Sequence, residues 1–125
     1  MTDRFKFRVY IKYAKMMCND VNSFYIDRLK NKITIHFDAH TKTFKFDDVV
    51  LEQSTGLKDK NGKPIYEGDW LKTKDGYYCY VQWIDGFWWV TSLPSEASDF
   101  EGSEFYKECE VVGNIHENKD FLDEA

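Results

Sequence analysis

The sequence predicts a mainly β, single-domain protein of antiparallel strands, barrel-like or two-layered, with little helix. Three observations carry this expectation. Apolar and polar residues alternate with period 2 over several segments. β-branched and aromatic residues, the latter 18% of the 125, fill the alternating positions. Glycine corners at Asn61-Gly62, Glu67-Gly68-Asp69, Asp85-Gly86 and Gly113-Asn114 punctuate the strands. A chain of this length builds one hydrophobic core, and large rings supply the burial that offsets chain entropy.

At the start, Phe5, Phe7 and Val9 alternate with Arg4, Lys6 and Arg8, which reads as a half-buried strand with a basic outer face. Residues 13 to 18 and 21 to 27 are weaker strand candidates, and 21 to 30 offers a short helix instead. In 32-KITIHFD-38, Ile33, Ile35 and Phe37 share one face and Lys32, Thr34, His36 and Asp38 the other. Asn61-Gly62 signals a two-residue hairpin turn of type I′, since both residues tolerate positive φ. Pro64, lacking an amide donor, belongs at a strand start or edge. After the Glu67-Gly68-Asp69 corner, Trp70 and Lys72 point opposite to Leu71.

The segment 77-YYCYVQWIDGFWWVTS-92 reads as a second hairpin, closed by Asp85-Gly86. A two-residue loop sets Ile84 against Phe87, Trp83 against Trp88, Gln82 against Trp89 and Val81 against Val90. One face then carries Cys79, Val81, Trp83, Trp88 and Val90; the other carries Tyr78, Tyr80, Ile84, Phe87 and Trp89. Both faces are apolar, so the second needs cover from another sheet, a partner subunit or a ligand. Residues 93 to 107 read as an acidic loop. The segment 109-CEVVGNIHEN-118 is a strand broken at Gly113-Asn114, and 117 to 125 adds at most a helical turn.

Charge and cysteines narrow the class. The net charge of -5 disfavours a general nucleic-acid coat, which needs concentrated positive charge. Residues 1 to 63 hold 13 Lys/Arg against 8 Asp/Glu, whereas residues 64 to 125 hold 4 against 14. Kept apart, those halves form an electric dipole suited to head-to-tail self-association, with a basic patch near Lys12, Lys15, Arg28, Lys30 and Lys32. Interleaved, they give a mixed solvated surface. Cys18, Cys79 and Cys109 are odd in number and contain no CxxC pair, which fits reduced, mostly buried thiols. No apolar run is long enough for a membrane span and no signal peptide is evident, so a cytoplasmic protein without a membrane partner is expected.

The stretch 56-GLKDKNGKPIYEGDWL-71, with Gln53 and Thr55 before it, resembles the YopX protein family, as do 4-RFKFRVY-10 and 112-VGNIHEN-118. The similarity covers both ends and the middle in the family's order, while 73 to 107 carries little of the pattern. Ser54 stands where an aromatic is usual, Trp70 where an aliphatic is usual, His116 where Tyr is usual and Lys119 where Pro is common. The resemblance implies a barrel-like β domain of phage or prophage origin, working inside a bacterial cell. It carries over no catalytic residue and no cofactor.

Candidate sites divide between chemistry and scaffold. Glu67 and Asp69 flank Gly68 and are a carboxylate pair on paper, but Asp in a corner routinely accepts local amide hydrogens and Glu67 has Lys58, Lys60 and Lys63 to pair with. The corner residues Asn61, Gly62, Glu67, Gly68, Asp69, Gly113 and Asn114 are therefore taken as structural. His36, Asp38 and His40 at i, i+2 and i+4 have the donor set for a transition metal if all three stay on one strand face. The pattern is weak, because His40 abuts the expected turn His40-Thr41-Lys42 and a chance alternation suffices to produce it, so no metal is assigned. Trp83, Trp88, Trp89, Tyr78 and Tyr80 suit either single-stranded nucleic acid or a protein interface. Asp75, Asp85 and Glu96 around that hairpin favour core or a protein interface over nucleic acid on those rings, with nucleic acid on the basic half as the alternative function. No nucleophile elbow, kinase set or HExxH stretch points to an enzyme.

Overall fold

The computed structural model describes residues 6–84, 87–92, 96–99 and 105–117, with side chains placed for 6–83 and 106–117. Eleven strands are described: β1 (Phe7–Ile11), β2 (Met16–Asp27), β3 (Lys32–Phe37), β4 (Thr41–Lys45), β5 (Val49–Lys58), β6 (Pro64–Tyr66), β7 (Asp69–Lys72), β8 (Tyr78–Ile84), β9 (Phe87–Ser92), β10 (Glu96–Asp99) and β11 (Glu110–Asn114). Every pairing among them is antiparallel. The mainly β expectation holds, but the sheets are open rather than closed into a barrel. The described chain divides into two compact units, 6–53 and 54–117, and β5 runs through both.

In the first unit the strand order is β4-β3-β2-β1-β5. Ile33, Ile35 and Phe37 alternate inward as expected and join Val9, Ile11, Phe44 and Val49 in one apolar cluster. Residues 21 to 27 form no helix: they continue β2, a 12-residue strand that pairs first with β1 and then with β3. Register shifts at Phe7/Val9 and at Val21/Ser23 mark bulges, which bend the strand as it changes partner. The basic outer face expected of β1 is corrected at Arg8. With β2 on one side and β5 on the other, β1 is an interior strand, and Arg8 through Ile11 are all buried. Arg8 sits directly across from Glu52, and its Nε donates to Glu52 Oε1 at 3.0 Å.

In the second unit β6 pairs with the latter half of β5, and a five-stranded sheet runs β10-β9-β8-β7-β11. Its core gathers Ile65, Leu71, Cys79, Val81 and Cys109, with Leu57, Tyr106 and Val111 against them. The register deduced for the aromatic hairpin holds at all four pairs from Val81/Val90 to Ile84/Phe87; the Asp85-Gly86 turn itself lies outside the described residues. Trp70 and Leu71 point to opposite faces of β7, yet each is 0% exposed. Both faces of the sheet are therefore covered at β7. Within the stretch expected as an acidic loop, Glu96–Asp99 forms β10 against β9, and 105–108 makes a short 3-10 turn. The last-turn expectation for 117 to 125 falls almost wholly outside the described residues.

Candidate functional site

The glycine-rich corner is organised by a residue that the spacing argument passed over. Asp59, 6% exposed, accepts the amide hydrogens of Asn61 and Lys63 on Oδ1 and of Val111 on Oδ2, each at 2.9 Å. One carboxylate thus holds the 59–63 loop and ties it to β11. The loop is not the two-residue turn expected. Gly62 N donates to Asp59 O at 3.0 Å, Asp59 N donates to Lys63 O at 2.9 Å, and only Gly62, at φ 81°, takes the left-handed conformation. This is the three-residue hairpin with glycine in its last loop position, selected because Asp59 captures amides two and four residues on. An aspartate two residues before Asn-Gly was the available signal.

Burial alone would raise the Asp59 pKa, but the three amide donors and the nearby Lys63 outweigh it and hold the carboxyl below its ordinary value. Stabilisation from a depressed carboxylate is present above the unfolded value of about 3.9 and is lost as pH falls through the folded value. Asp59→Ala, which strands three amides, should cost about 3 kcal/mol in urea unfolding. The stability gap between wild type and Asp59→Asn should be constant above about pH 5 and shrink below about pH 4.

Asp69 and Asn114 also accept backbone amides at the other corners. Asp69 Oδ2 accepts the Tyr66 amide at 2.8 Å, while Glu67 is half-buried. Gly68, at φ 83°, donates to Val81 O and accepts from the Ile115 amide, which pins the corner to β8 and to the segment after β11. Asn114 Oδ1 accepts the amides of His116 and Glu117, and its Nδ2 donates to Glu117 Oε1 at 2.7 Å. Gly113 pairs across to Trp70 at a register shift, the bulge that lets β11 follow β7.

His36, Asp38 and His40 do not share a strand face. β3 ends at Phe37, whose amide donates to His40 O at 2.7 Å, so Asp38 and His40 lie in the turn that follows. His36 Nδ1 and Thr41 Oγ1 share a 2.8 Å hydrogen bond, and the His40 ring stacks on Phe37 at 4.9 Å. Among the described residues no three His, Cys, Asp or Glu side chains gather as a metal site.

All three cysteines are free thiols, Cys79 and Cys109 buried and Cys18 partly exposed. Burial, with Cys109 nearby, pushes Cys79 up to about 12, and its Sγ donates weakly to Leu71 O at 3.8 Å. Burial, then Glu108 and Asp59, partly opposed by Lys60, pushes Cys109 up to about 11. Cys18 is raised by burial and by Asp20. Thiolate is the reactive form, so at pH 8 Cys79 and Cys109 should react with Ellman's reagent only after denaturant is added.

Among the described side chains of β8, Tyr80 is half-buried and Trp83 is exposed. Tyr80 meets the buried Trp70 edge to face, with ring centroids 5.2 Å apart and planes at 66°, and Tyr78 is half-buried. Along the opposite face Cys79 and Val81 are buried, but Trp83, next in the alternation, is 49% exposed. Its cross-strand partner is Trp88. The side chains of Trp88 and Trp89 lie outside the described residues. In the first unit, two hydrogen bonds bracket the 3-10 turn Phe46–Asp48: Phe46 N to Asn31 O at 3.0 Å and Lys12 N to Asp48 O at 2.9 Å. They bring the 28–31 loop, with Arg28 and Lys30, toward Lys12. Six of the exposed large apolar residues also belong to this unit: Tyr13, Met16, Tyr25, Ile26, Leu29 and Phe46.

No curated protein matches the chain. Among solved structures it is similar to protein EF1440 from Enterococcus faecalis, with 27% identity over 94% of this chain and 96% of that one and a TM-score of 0.64. It also shares its fold with protein yopX from Bacillus subtilis, at 19% identity, 95% and 98% coverage and a TM-score of 0.64. The model of the YopX protein family matches residues 6–123, and the chain belongs to that family.

Proposed function

We propose that the protein is a non-catalytic module of phage or prophage origin that works in the bacterial cytoplasm by binding protein, either its own copies or another chain. The observation that carries this reading is Trp83. A ribbon whose inner residues are buried extends an indole half into solvent, with Trp88 directly across from it. Large aromatics at the margin of a core are the residues that anchor protein interfaces. The described carboxylates at the corners support the non-catalytic part, because Asp59 and Asp69 accept structural amides. Bacterial relatives support the host assignment. Light scattering across a concentration series, together with Trp83→Ala in the same assay, tests the reading. A mass above the monomer that Trp83→Ala lowers supports it; a strict monomer that retains no host protein on an affinity column overturns it.

A second reading, nucleic acid on the first unit, draws on the exposed cations Lys12, Lys15, Arg28, Lys30 and Lys32 around the bracketed turn. Asp47 and Asp48 lie in that turn and offset part of the charge. Fluorescence anisotropy with labelled single strands decides it: absence of binding in low salt removes the reading.

A further inference from the structure

We propose that copies of the chain join head to tail by pairing the basic edge strand β4 of one with the acidic edge strand β10 of the next. The inference rests on the self-binding reading above and adds a second contact to the one at Trp83. β4 stands last in its sheet, next only to β3, and β10 stands last in the other, next only to β9, among the described strands. An edge strand presents a row of backbone donors and acceptors ready for another strand. The two edges are close in length, five residues and four. They are opposite in charge: Thr41-Lys42-Thr43-Phe44-Lys45 against Glu96-Ala97-Ser98-Asp99.

Antiparallel pairing, the arrangement every described strand already uses, offers a register that matches chemistry at each position. It sets Lys42 against Asp99, Thr43 against Ser98, Phe44 against Ala97 and Lys45 against Glu96. Lys45 is already opposed within its own sheet by Lys32, a like-charge cross-strand pair that Asp27, on the far side of Lys32, offsets only in part. Asp27 Oδ1 is occupied by the amides of Leu29 and Lys30. A carboxylate arriving on the open side of β4 relieves that repulsion. Lys42 lies over the rings of Tyr13 and Phe44, at 5.8 and 5.2 Å. Unlike a two-fold interface, the contact uses two different patches, so association continues into rings or open chains.

Sedimentation velocity on the full chain at several concentrations, in 20 mM and 500 mM salt, reads the assembly. Wild type should grow with concentration beyond a dimer and shrink in high salt. Lys42→Glu/Lys45→Glu and Glu96→Lys/Asp99→Lys should each weaken association about tenfold or more. Mixed one to one they should associate again, because each supplies the edge that the other lost. Unchanged circular dichroism and melting of the variants confirms that both fold. If wild type assembles and the reversals leave it intact, the edge assignment fails while self-binding stands. If wild type is a monomer at every concentration in low salt, both fail, and binding to a different protein is what remains of the functional reading.

Discussion

Replacing Trp70 with alanine should lower stability by about 4 kcal/mol and the melting temperature by about 15 °C, read by circular dichroism under urea and heat. Trp70 is 0% exposed in the interior strand β7, flanked by β8 and β11. Its ring meets Tyr80 edge to face, and no solvent reaches it. Truncation therefore forfeits the transfer of an indole from water and leaves a cavity that the neighbouring strands are poorly placed to close, since β8 is hydrogen-bonded to both β7 and β9 and β11 is tied through the Val111 amide to Asp59. Leu71, on the opposite face, stays locked among Ile65, Cys79, Val81 and Cys109, so β7 cannot shift toward the void without disturbing that cluster. Trp70→Phe keeps a ring against Tyr80 and should cost about half as much or less. A loss under 1 kcal/mol for the alanine variant would mean that the indole is not a packing element.

What the sequence made legible follows from where local rules act alone. The hairpin register from Val81/Val90 to Ile84/Phe87 was readable because a two-residue turn between alternating strands leaves one pairing. Ile33, Ile35 and Phe37 were readable because period 2 meets a single buried face. β2 was harder, since its bulges break the alternation and a short helix fits the same residues. β10 was invisible: Glu-Ala-Ser-Asp has no strand propensity, and only pairing with β9 makes it one. The Asn61-Gly62 turn was misread because Asp59 contributes a side-chain acceptor that a dipeptide rule omits. At the candidate site, the aromatic character of the ribbon could be read, but not that Trp83 emerges while Val81 is buried. That difference depends on how far along β8 the core extends, which is a property of the packed sheet.

The same limit applies to Arg8, and it leads to the other large effect. An arginine alternating with Phe7 and Val9 looks solvent-facing until β5 is laid beside β1, 44 residues on in sequence, and places Glu52 directly opposite. Both side chains are then buried and joined at 3.0 Å. Arg8→Ala or Glu52→Ala should each cost about 3 to 5 kcal/mol, because the surviving charge is left in the interior without the counter-charge that offset its desolvation. The double variant Arg8→Leu/Glu52→Leu should behave differently, recovering to within about 1 kcal/mol of wild type, since two apolar side chains of similar size carry no desolvation penalty. A double-mutant cycle by urea unfolding separates the terms. Recovery would mean that the ion pair stabilises the fold little on balance and that its weight lies in excluding other registers of β1 against β5: a one-residue slip would oppose Arg8 to Leu51 or Gln53 and bury both charges apart. A double variant as unstable as the singles would instead show that the guanidinium and carboxylate supply net stability that hydrophobic packing at those two positions does not replace.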